Sequence, residues 1–89
     1  MIEKTITVKF QKGLHARPAA LLVEMLSEFK TTEVKVVDEQ TEIDAKSIMG
    51  ILILAAAYGT QLKFIIDGQA QDEVSKKLDE FFNSHYDGE

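Results

Sequence analysis

The spacing of apolar residues changes sharply near the start of this chain, and that change restricts the fold more than any other feature. Across residues 2–10, Ile2, Ile6, Val8 and Phe10 share one parity, while Glu3, Thr5, Thr7 and Lys9 share the other. A period of two is that of a strand with one buried face. From Ala16 to about Phe29 the period becomes helical, with Ala19, Leu22, Val23, Leu26 and Phe29 on one stripe. Gly13 punctuates the loop between them. Pro18 falls in the first helical turn, where a missing N–H does no harm.

The same reasoning carries to the end of the chain. "TEVKVVD" reads as a second strand with Val34 and Val36 inward, joined by the tight Glu39–Gln40 region to a short third strand, "TEIDA". Ser47 to Ala57 reads as a helix closed by Gly59. "QLKFIID" is the last strand, and Asp72 to Asn83 a closing helix that buries Val74, Leu78, Phe81 and Phe82. The strands alternate and are not apolar throughout, which predicts an antiparallel sheet covered on one face. The expected fold is therefore α+β: an open-faced β-sandwich of order β-α-β-β-α-β-α, four strands under three helices. Its 89 residues suit a single domain spanning 1–89.

Composition removes several function classes. There is no cysteine, so neither a disulfide scaffold nor a thiolate metal site is available. The two histidines, His15 and His85, make a histidine metal site improbable, and no cofactor is expected; His85, in the polar tail "NSHYDGE", reads as an exposed bystander. Ten basic against fifteen acidic residues leave a net charge of −5, which argues against a direct nucleic-acid binder. "MIEKTITVKF" lacks the continuous apolar run of a signal peptide. The longest apolar run, "IMGILILAAAYG", is about half to two-thirds of a membrane span. The chain reads as cytoplasmic, without membrane insertion.

The chemistry concentrates in "KGLHARPAALL", Lys12 to Leu22. A helix N-terminus presents free N–H groups and the positive end of the macrodipole. The neutral form of an imidazole is the nucleophilic one. A phosphoryl group accepted on His15 would lie where helix amides bind anions. Arg17 would add a planar cation suited to phosphate oxygens, and Gly13 would allow close backbone approach. A histidine that merely precedes a helix, beside a solvated arginine, has the same spacing, so the residues alone leave both readings open. Lys12 either adds positive charge or points to solvent.

"GLHARPAA" resembles the active-site signature of HPr, the histidine-containing phosphocarrier of the bacterial phosphoenolpyruvate:sugar phosphotransferase system. A second motif, "KSIMG" from Lys46 to Gly50, resembles the regulatory serine site of HPr from Gram-positive-type bacteria. The resemblance runs along the whole chain in length and element order. It implies that His15 accepts a phosphoryl group on Nδ1 from phosphorylated Enzyme I and passes it to sugar-specific Enzyme IIA domains. Arg17 and the amides at Ala16 and Arg17 would stabilise it. The protein would act as a cosubstrate between enzymes, with no turnover site of its own, and as a monomer.

Ser47 stands where a serine makes a good helix cap. The run behind it, Ile48, Met49, Ile51, Leu52, Ile53 and Leu54, covers too much of a helix circumference for one wet face. Either some of these side chains are exposed for a partner or a loop covers them. The partner surface is expected at Ala20, Ile48, Met49 and Leu52. The resemblance implies that Ser47 is phosphorylated by HPr kinase/phosphorylase. The added charge, about −2, would hinder Enzyme I, and the seryl-phosphorylated form would join a LacI-type catabolite control protein. A paralogue of the Crh type, regulatory and with glutamine in place of the histidine, shares the "GL.ARPAAL" context. A non-phosphorylated anion-binding module is the alternative from another class.

Overall fold

A computed structural model describes residues 1–54 and 57–83. The reading of His85 and the middle of the run from Leu54 to Ala57 lie outside the described residues. The elements are β1 (Ile2–Thr7), α1 (Ala16–Ser27), β2 (Thr32–Asp38), β3 (Thr41–Asp44), α2 (Ile48–Leu54), β4 (Gln61–Gly68) and α3 (Gln71–Asn83). The four strands form one antiparallel sheet in the order β1-β4-β2-β3. This is the expected open-faced arrangement. The last strand lies between the first two, a placement that sequence periodicity does not reveal.

Register aligns the apolar sets on one face. Ile6 pairs with Leu62, Val36 with Phe64, and Val34 with Ile66. All six are buried, together with Ala19, Leu22 and Leu26 of α1 and Val74, Leu78, Phe81 and Phe82 of α3. Phe10 fills the end of this core, edge-on to Phe81 at 5.9 Å between ring centroids and stacked on Phe82 at 5.6 Å. Such pairs add about 0.5–1.5 kcal/mol beyond their burial. The opposite face carries cross-strand ion pairs, Lys63 with Glu3 at 3.2 Å and Lys35 with Glu42 at 3.5 Å. These are exposed and stabilise little; they keep the open face wet.

Two local differences from the sequence reading have physical causes, and one contact lies beyond that reading. β1 ends at Thr7, not at residue 10, although Val8 and Phe10 are buried as expected. Val8 donates to the Thr60 carbonyl and accepts from the Gly59 amide, so two residues face one, as in a bulge. The same bonds draw the segment before β4 toward β1. Ala57 therefore lies outside a helix, its carbonyl closing a turn to the Thr60 amide. Lys4 shares the inward parity of β1 and is not a solvated charge. Its ammonium reaches the Ser75 carbonyl at 3.2 Å, Ser75 Oγ at 2.9 Å and Asp79 Oδ2 at 2.6 Å, tying the edge strand to α3.

Candidate phosphoryl-acceptor site

The loop before α1 is set by Gly13. Its amide donates to the Phe10 carbonyl at 2.8 Å, and its φ of 75° is a left-handed value that costs glycine least. Leu14 then turns into the core, at 2% exposure. With Leu14 inward and extended backbone at the next residue (φ −83°, ψ −170°), His15 becomes the cap position of α1. Its carbonyl accepts the Ala19 amide at 2.9 Å and so closes the first turn. Its imidazole makes no capping hydrogen bond. The ring, half-buried, is thus at the helix mouth without being spent on the backbone there.

The helix start suits an anion. First-turn amides point outward from any α-helix. Here they belong to Ala16 and Arg17, while Pro18 has no N–H to contribute. There is no acidic residue in the first turn. Ala16, Arg17 and Lys12 are exposed, and Ala20 is exposed one turn further on. Concavities at the β2–β3 edge and between β1 and the end of α3 include neither His15 nor Arg17. The histidine is presented on a surface, an arrangement suited to docking with another protein.

α1 and α2 are in contact, and α2 carries the second motif. Ser47 Oγ accepts the Gly50 amide at 3.1 Å, and the Ser47 carbonyl accepts the Ile51 amide at 3.0 Å. Ser47 is a helix cap in geometry as well as in sequence. Ile51 is the buried anchor of α2. Ile48, Met49, Leu52 and Ile53 are exposed at 36, 64, 39 and 74%, and Tyr58 beyond the helix at 64%. No loop among the described residues covers them. Ile53 and Tyr58 were absent from the expected surface. The excess of apolar residues around the helix was the available signal for Ile53, but it could not say which side would be wet.

A family profile described as "PTS HPr component phosphorylation site" matches residues 2–84. The chain belongs to the HPr family. HPr of Treponema pallidum is similar, 33% identical over 89 residues and across the whole of both proteins. A crystal structure of HPr from Thermoanaerobacter tengcongensis superposes with a TM-score of 0.90 at 39% identity, covering 100% of this chain and 98% of that one. Crh of Bacillus subtilis, a catabolite-repression protein whose crystal structure is a domain-swapped dimer, superposes at 0.71 with 35% identity over 92% and 93% of the two chains. As an HPr-family member the chain is a phosphocarrier of the phosphotransferase system. No helix among the described residues is long and apolar enough to cross a membrane.

Proposed function

We propose that His15 accepts a phosphoryl group from phosphorylated Enzyme I and donates it to Enzyme IIA domains. The observation that carries this reading is the cap position of His15, with an imidazole that makes no capping bond. In the first step the Nδ1 lone pair attacks phosphorus. A P–N bond forms on His15 as the donor's bond to phosphorus breaks. The dianion produced lies beside the Ala16 and Arg17 amides and the Arg17 guanidinium, where helix polarity and charge favour it. Those interactions strengthen with the charge on the bound group, which favours acceptance. Arg17 is exposed and the site is open, which favours onward transfer.

Partners dock on Ala20, Ile48, Met49 and Leu52, next to the acceptor. Ser47 is the acceptor for HPr kinase/phosphorylase. Phosphorylation there puts a dianion at the edge of the apolar face, weakening Enzyme I docking and forming the surface read by a LacI-type catabolite control protein. The carrier works as a monomer, since one face serves successive partners.

Incubation with phosphoenolpyruvate and Enzyme I tests the carrier reading. Acid-labile phosphate is expected on His15 and none on His15→Ala. Its absence from the wild type would favour the Crh-type regulatory role, which the likeness to Crh supports. ATP-dependent phosphate that persists in Ser47→Ala would remove Ser47 from the scheme. A dimeric mass in solution would count against the monomer.

A further inference from the structure

α2 is seven residues long, and Ile51 is its buried side chain. A helix this short has no stability of its own in water, and its orientation comes from its attachments. Those at its start are polar. Ala45 donates to the Val34 carbonyl at 2.9 Å, Ser47 to the Asp44 carbonyl at 3.0 Å, and the Lys46 amide to Asp44 Oδ1 at 2.9 Å. These bonds relate the start of α2 to β2 and β3. The Lys46 side chain relates it to α1. Its ammonium donates to the Phe29 carbonyl at 2.6 Å and to the Thr32 carbonyl at 2.7 Å. Phe29 belongs to the turn that closes α1, its amide bonded to the Leu26 carbonyl and its own carbonyl shared with the Thr32 amide. Hydrogen bonds from a charged donor are the stronger kind, roughly twice a neutral one.

We propose that Lys46 is a positioning residue for phosphotransfer. By joining the end of α1 to the start of α2, it sets the Ile48, Met49, Leu52 and Ile53 face relative to the helix that bears His15. A partner docked on α2 then meets the imidazole in line. Misplacement by about 1 Å costs on the order of 100-fold in such transfers, so a modest rotation of a short helix is enough to matter. Lys46 touches neither phosphorus nor partner in this role. Its ammonium is also committed to carbonyls and does not compensate a phosphate on its neighbour Ser47. The inference rests on the carrier reading.

The test measures the rate of His15 phosphorylation against carrier concentration with phosphorylated Enzyme I, and in parallel with phosphoramidate, a small donor that needs no docking face. In Lys46→Met we expect kcat/KM for the carrier with phosphorylated Enzyme I to fall at least about fivefold, with the phosphoramidate rate unchanged. Lys46→Arg, which retains donors and charge, should stay within about twofold of wild type. A folded Lys46→Met with wild-type kinetics toward Enzyme I overturns the proposal. So does an equal loss with both donors, because that is general disruption. Should Lys46→Met not fold, Lys46→Gln decides: with its native signal complete and its phosphoramidate rate unchanged, a wild-type kcat/KM toward Enzyme I overturns the role and a lowered one supports it. A wild type labelled by phosphoramidate but not by Enzyme I overturns the carrier reading and this role with it; that outcome is distinguished by failing before any substitution.

Discussion

A β-carbon placed on Gly50 would lie 2.5 Å from Cγ2 of Ile43, so α2 approaches β3 as closely as its backbone permits. That contact explains a glycine in the middle of a seven-residue helix, where the residue is otherwise unfavourable by roughly 1 kcal/mol relative to alanine. Gly50→Ala gains that propensity but forces the helix from the strand, and overpacking of this kind costs about 1–3 kcal/mol. The clash should prevail, giving a net loss measurable by urea denaturation. In an Ile43→Ala background the methyl group has room, and Gly50→Ala should become neutral or stabilising. An additive double-mutant cycle would show that the contact does not set the position of α2.

Ser47 has a structural duty separate from any modification. Its Oγ holds the Gly50 amide, and Ser47→Ala should cost about 1 kcal/mol in stability. Ser47→Asp preserves a capping acceptor and adds charge at a favourable helix end, so its stability should remain near wild type. Its phosphorylation by Enzyme I should nevertheless slow, because the charge borders Ile48 and Met49. Equal phosphorylation rates for Ser47→Asp and wild type would separate the serine from docking.

Glu39 has a φ of 57°, a left-handed value at the first position of the two-residue β2–β3 turn. A glutamate pays roughly 1 kcal/mol for it, and asparagine adopts it more readily. Glu39→Asn should raise the urea midpoint by an amount equivalent to about 0.5–1 kcal/mol without altering phosphotransfer. No gain in the midpoint would mean that the turn is not strained.

Lys4 binds α3 through three acceptors, with its side chain 21% and that of Asp79 54% exposed. Lys4→Met should destabilise by about 1 kcal/mol, the ionic part of which is screened by salt. Asp79→Asn should cost less, since both Ser75 contacts remain. The ranking can be read from thermal melts at low and high salt, and the reverse order would assign the tie to the carboxylate.

Much of the fold is legible in the chain because periodicity is a local property. The alternation of Ile6, Val8 and Phe10, and the stripe of Ala19, Leu22 and Leu26, each name the buried face within one element. Boundaries were less legible where another segment intervened. The pairing of Val8 with Gly59 and Thr60 ended β1 early and kept Ala57 out of a helix, and no residue in either segment signals the other. The part played by Lys4 was not legible for the same reason. A lysine among threonines looks solvated until α3, more than 70 positions away, supplies its acceptors.

By itself, the sequence determined that His15 follows Gly13 and Leu14 and precedes a helix with proline in its first turn, because capping and turn chemistry act between neighbours. It likewise determined that Ser47 caps α2 and that α2 is apolar over most of its circumference. The tertiary structure decided which of those apolar residues are wet, because Ile51 is buried and Leu54 packs against the core while Ile48, Met49, Leu52 and Ile53 are exposed. It also decided that α2 is secured to α1 through Lys46 and spaced from β3 by Gly50. Such contacts join residues distant along the chain, and their geometry exists only after the sheet has brought them together.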